Sequence, residues 1–237
     1  MNNLPLLFFG IFLTLASSWL GILFIPDMFQ IGQLDRTTTQ LIRPDTGEPI
    51  AGLTYTDESG NLRYGEPNPD EEFFPRPLGG EALRGKSHYI SMGCLYCHSQ
   101  QVRRKGFGAD YDRGWGDRQS VPRDYILQER VLLGTSRTGP DLKDVGSRIP
   151  DTNWHHLHLY NPQITSRGSN MPPYAFLYEK RPIPESGPSP DALSLSGEFA
   201  VADGYEVVPT RRARELVAYL MELRLDYELP EIKMTQE

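Results

Sequence analysis

Cysteine is almost missing from this 237-residue chain, which has only Cys94 and Cys97. With no second cysteine pair and no His-x-x-x-His, the four ligands of a structural zinc site are not at hand. Basic charge is also short. Twenty-four Lys and Arg stand against 31 Asp and Glu, for a formal net charge of −7. No basic stripe appears, so nucleic acid is not an expected partner. Charged residues are absent altogether from Leu4 to Ile25, and no Lys or Arg precedes that run. What remains is 38% hydrophobic with 20 Pro and 22 Gly. That composition describes a loop-rich globular chain rather than a disordered one.

As a helix the Leu4–Ile25 run would be about 33 Å long, enough to cross a bilayer. A cleaved signal peptide is the competing reading, but the run is longer than a signal core and lacks the basic flank. Starting at Met1, it fits an uncleaved anchor. Pro5 is tolerated in a first helical turn, and Pro26-Asp27 ends the segment. Gly10, Thr14, Ser17 and Gly21 form a small face at helical spacing, where another transmembrane helix could approach. Arg36 and Arg43 follow the span, so the positive-inside rule points weakly toward a cytoplasmic remainder. The motif described next argues for the opposite side.

Both cysteines fall in Cys94-Leu95-Tyr96-Cys97-His98. This is the attachment pattern of a c-type haem. Each thiol can add to one vinyl group, one turn apart along the same porphyrin edge. His98 then presents its imidazole to the iron. A disulfide, a redox dithiol or half a zinc site are the competing readings, and none of them gives the histidine a reason. The expected cofactor is one covalent haem c. Haem of this type is attached outside the bacterial inner membrane, which places the domain on the periplasmic side.

The chain divides into an anchor over residues 1–30, a polar connecting segment over 31–77 and a haem domain over 78–237. In the connecting segment Leu53–Thr56 and Asn61–Tyr64 flank Asp57-Glu58-Ser59-Gly60, a hairpin pattern. Glu66–Pro77 reads as an extended tether whose Asp70-Glu71-Glu72 run is a solvated surface. In the haem domain a helix is expected from Gly80 into the motif, with Leu83, Ile90 and Cys94 on one face. A last helix is expected over Arg211–Arg224, capped by Thr210. Its apolar face is Ala213, Leu216, Val217, Leu220 and Leu223.

A second axial ligand is needed unless the iron site stays open, as it would in a haem sensor. Met171, in Asn170-Met171-Pro172-Pro173, is the expected ligand because prolines stiffen its loop. It lies far enough from His98 in sequence to come from the opposite haem face. Met92 is too close to the motif. A thioether raises the potential, as suits an electron carrier. His155, His156 and His158 offer a bis-histidine alternative.

Several blocks resemble known proteins. Gly85 with Tyr89, and Leu216-Val217-Ala218-Tyr219-Leu220, resemble the crossing helices of class I cytochromes c. That resemblance implies a mostly α fold with loop insertions, here near 103–130 and 179–208. Gly139-Pro140-Asp141-Leu142 resembles the cytochrome c segment whose proline carbonyl accepts from the haem histidine, a role carried to Pro140. Gly93–Gln100, Leu133–Gly146, Trp154-His155, Leu159–Pro162 and Met171–Leu177 come in an order similar to the membrane-anchored mono-haem subunit II of cbb(3)-type oxidases. The resemblance implies an electron-transfer subunit without catalysis of its own. Its partners would be a haem-copper catalytic subunit, a donor cytochrome c and the lipid membrane. A nitric oxide reductase cytochrome subunit shares this plan but is not expected to carry the Ser136–Leu142 block.

Overall fold

The computed structural model describes residues 3–25, 28, 54–56, 62–64, 75–227, 229 and 232. It falls into two units, residues 1–38 and residues 39–237.

In the first unit, helix α1 runs over Leu4–Trp19 and continues as a π-helical turn over Leu20–Phe24. Leu4–Phe24 has a mean hydropathy of 2.1 and none of it is buried. Leaving that much apolar surface in water is unfavourable at about 25 cal/mol per Å², whereas in lipid it costs nothing. The polar groups of the helix are satisfied internally, as hydrocarbon demands. Thr14 donates to the Gly10 carbonyl at 2.7 Å and Ser17 to the Leu13 carbonyl at 2.7 Å. Pro26, Asp27, Arg36 and Arg43, which carry the stop and orientation arguments, lie outside the described residues.

In the second unit, strands β1 (Thr54–Thr56) and β2 (Leu62–Tyr64) pair antiparallel, with Tyr55 opposite Arg63. The turn between them and the acidic run Asp70–Glu72 lie outside the described residues.

The rest of this unit is organised by the crossing of α2 (Gly80–Ser91) and α5 (Arg211–Met221). A Cβ at Gly85 would overlap the Glu215 carbonyl, so a side chain there would hold the helices apart. One turn on, the rings of Tyr89 and Tyr219 meet edge to face, with centroids 5.5 Å apart. Thr210 caps α5 by accepting from the Ala213 N–H at 3.5 Å. Ala213, Leu216, Val217, Leu220 and Leu223 are all buried, although the helix stops at Met221 and not at Arg224. In α2 the buried residues are Ala82, Gly85 and Tyr89. Leu83 is 52% exposed, so the expected Leu83 face is corrected. The close crossing at Gly85 turns the Ala82, Gly85 and Tyr89 face inward and sends Leu83 out.

Two short helices complete the helical set. Helix α3 (Val145–Arg148) meets α5 at Gly146, where a Cβ would overlap the Met221 carbonyl. Helix α4 (Thr152–Tyr160) is capped by Asp151, which accepts from the Asn153 N–H at 2.9 Å. The Pro-, Ser- and Gly-rich stretch 179–208 is not all loop. Strands β3 (Tyr178–Pro182) and β4 (Tyr205–Pro209) pair antiparallel, with Lys180 opposite Val207. Residues 103–130 are mostly turns around a buried ion pair. Arg118 donates to Asp124 at 2.8 and 2.9 Å, and to the Leu225 and Tyr227 carbonyls at 3.0 Å. Lys143 donates to the Asp124 carbonyl at 3.2 Å, and burial pulls its ammonium down to about 8.

Candidate haem site

Helix α2 ends before the motif. Gly93, at φ +75°, reverses the chain, and Cys94–Tyr96 form a separate 3₁₀ turn. The expectation of one helix running into the motif is corrected by that left-handed residue, which glycine adopts without strain. The turn still stacks the two cysteines on consecutive windings. Both thiols are free, Cys94 partly buried and Cys97 exposed. Burial pushes the Cys94 thiol up to about 11. An exchange-active dithiol has the opposite shift. Among the described residues, no group of three His, Cys, Asp or Glu converges as a metal site.

His98 is held by its Nδ1, which donates to the Pro140 carbonyl at 2.8 Å. That leaves Nε2 as the nitrogen available to a metal. Burial holds the imidazole below its ordinary pKa, partly offset by the bond to Pro140, so the ring is kept neutral for ligation. Gly139 makes the geometry possible. A Cβ there would lie 2.8 Å from both ring nitrogens. At Gly134 (φ +88°) a Cβ would come within 2.5 Å of the His98 carbonyl oxygen.

The two sequence blocks that stand out in the chain bond directly to one another. Gly139 N–H donates to the Cys97 carbonyl at 2.9 Å, and Leu142 N–H to the Ser99 carbonyl at 2.8 Å. Gln100 N–H donates to the Leu133 carbonyl at 3.0 Å. The Ser136 hydroxyl donates to the Tyr96 carbonyl. These bonds hold the two blocks side by side, through residues on either side of His98 in the chain.

Met171 lies on a loop clamped by Gln163. Its amide Nε2 donates to the Ser169 carbonyl at 2.7 Å, and its Oε1 accepts from the Gly168 N–H at 2.8 Å. Met171 is partly buried and packs against the same core as Cys94, Leu95 and Met92. Tyr174, three residues on, packs against that same core, and its N–H donates to the Leu159 carbonyl at 2.8 Å. The histidines of α4 each engage one ring nitrogen elsewhere. His155 Nε2 bonds the Ile149 carbonyl at 2.9 Å, and His156 Nδ1 bonds the Tyr178 hydroxyl at 3.1 Å. His158 Nδ1 bonds the Thr165 hydroxyl at 2.6 Å, and its ring stacks on Trp154 with centroids 4.7 Å apart. Arg148 was not singled out by the sequence pattern. Its positive charge acts on His98, its Nη2 donates to the Asp141 carbonyl at 2.8 Å, and its buried Nε has no partner.

Residues 75–187 match the family model described as cytochrome c oxidase, mono-haem subunit/FixO. Over that span the chain belongs to the FixO family. The match takes in the cysteine motif, the Gly139–Leu142 block and the Met171 loop, and stops short of β4 and α5. A search of curated proteins finds no match. Membership makes the chain a haem-carrying, electron-transferring subunit of a cytochrome c oxidase. The residues present fit such a group: two free thiols one 3₁₀ turn apart, and a neutral imidazole fixed with one nitrogen unengaged. The exposed apolar helix α1 is consistent with a membrane-anchored FixO subunit.

Proposed function

We propose that this FixO subunit carries one covalent haem c, tethered by Cys94 and Cys97, with His98 and Met171 as the iron ligands. When bound, the haem supplies one-electron chemistry. Cys94 and Cys97 would hold the porphyrin, and His98 Nε2 and the Met171 sulfur would hold the iron. Pro140 orients the imidazole through Nδ1 and makes it a better donor. The observation that carries the reading is the 2.8 Å bond from His98 Nδ1 to the Pro140 carbonyl, made beside two unpaired thiols. No side chain is needed for bond-making chemistry. The subunit would accept electrons from a donor cytochrome c and deliver them to the haem-copper catalytic subunit. Helix α1 would hold it in the bacterial inner membrane with the haem domain on the periplasmic side. The test is a haem stain of the full chain on a denaturing gel. A stained band is expected, lost when either cysteine is replaced by alanine; an unstained wild-type chain would refute covalent attachment.

A further inference from the structure

Beyond the haem ligands themselves, the structure contains a buried charged cluster against the His98 segment that the proposed electron-transfer role leaves unexplained. Asp141 is wholly buried, and its carboxylate takes three short bonds. Oδ2 accepts from the Ser99 hydroxyl at 2.6 Å and from the Gln101 N–H at 2.7 Å, while Oδ1 accepts from the Lys143 N–H at 2.8 Å. Arg137 closes the cluster. Its Nε donates to the Ser99 hydroxyl at 2.9 Å, and its two terminal nitrogens donate to Asp110 and to the Gln101 carbonyl. Asp110, 1% exposed, also accepts from the Arg103 N–H at 2.7 Å.

Two buried carboxylates sharing one guanidinium form an arrangement whose desolvation penalty rivals its attraction. Apolar residues would hold the fold as well, so bare stability does not account for it. Its placement does. Asp141 is the residue after Pro140, so the carbonyl that His98 grips belongs to the peptide joining Pro140 to Asp141. Proline lacks an N–H on the preceding peptide. The Asp141 side chain, tied back to Ser99 and Gln101 just beyond His98, anchors the carbonyl-bearing peptide from its other end.

We propose that Asp141, locked by Ser99 and Arg137, is a positioning residue that holds the Pro140 carbonyl on His98 Nδ1 and so sets the haem potential. This rests on the haem reading given above. A firm bond at Nδ1 strengthens the imidazole as a donor and favours ferric iron. Loosening it shifts the balance toward ferrous.

The test is a potentiometric titration of the detergent-solubilised full chain carrying Asp141→Asn or Ser99→Ala. Asp141→Asn keeps the shape but turns an acceptor into a donor. It is expected to move the ferrous-to-ferric ratio at fixed solution potential about tenfold toward ferrous, a rise of about 59 mV for one electron. Ser99→Ala changes no charge and removes one strut. It is expected to raise the potential by a smaller amount. If Asp141→Asn raises the potential but Ser99→Ala does not, the aspartate acts through charge alone and positioning is overturned. If both stay at the wild-type value, the cluster has no part in tuning. Should Asp141→Asn fail to accumulate, Ser99→Ala decides by itself. A wild-type chain without covalent haem would instead defeat the haem reading, so the two failures are told apart on the gel before the titration begins.

Discussion

At the scale of single residues the site depends on what is small or fixed. Gly139 lets the His98 ring lie against the backbone that carries Pro140. Gly139→Ala would push the imidazole off that carbonyl, and covalent haem per mole of chain should fall by about tenfold, the lower range for lost outer-shell partners. Haem stain against total protein measures this. Met171→Ala should abolish the methionine-to-iron charge-transfer band in the far red while leaving the haem attached. Retention of that band would hand the sixth position to another methionine, and Met92 would be the next to replace. The pattern Cys-x-x-Cys-His is local, so the motif was legible along the chain. Arg137, Asp110 and Arg148 were not legible as site residues, because an arginine that folds back against a buried carboxylate has the same sequence signature as one in water.

At the scale of elements the α2–α5 crossing decides whether a pocket exists. Gly85→Val would drive a side chain into the Glu215 carbonyl. Overpacking of this kind costs about 1–3 kcal/mol or more, readable as a lower urea midpoint. Glu215 sits at the same crossing, 3% exposed, bonded by Arg84, His88 and Arg211. Those bonds, Arg84 first, hold its carboxyl down to about 2 from an ordinary 4.5. A lowered acid stabilises the fold fully above its unfolded pKa and loses that contribution as pH falls through the folded one. Stability should therefore be level above about 4.5 and decline toward about 2. In Glu215→Gln that acid limb should flatten; an unchanged limb in equilibrium denaturation across this range would assign it to other carboxylates. The periodicity of α5 exposed its buried face in advance. The buried face of α2 was misjudged at Leu83 because the crossing point, and not hydrophobicity, chooses which side turns inward.

At the scale of the whole molecule, residues 1–38 and residues 39–237 are separate units with opposite solvent requirements. Helix α1 leaves its apolar side chains exposed, whereas the haem domain buries its own. The chain should stay in the membrane fraction through a high-salt, alkaline carbonate wash. Replacing residues 1–30 with a cleavable export signal should release a soluble, haem-stained domain; release of the intact chain by the wash would argue that α1 does not span. The segment after α5 is stitched to the 103–130 region through Arg118, which bonds the Leu225 and Tyr227 carbonyls.

The amino-acid sequence by itself determined the apolar N-terminal helix, the cysteine–histidine motif and the amphipathic last helix. Each of these is written in nearest neighbours or in a single period: an uncharged run, two cysteines and a histidine, and an apolar repeat. Only the tertiary structure decided where the Pro140 carbonyl falls relative to His98, that residues 178–182 and 205–209 pair as a ribbon, and that Asp141 and Arg137 meet beneath the histidine segment. Those facts depend on distant stretches brought together by close backbone approach at Gly85, Gly134, Gly139 and Gly146. A glycine in sequence shows that something comes near, but not what.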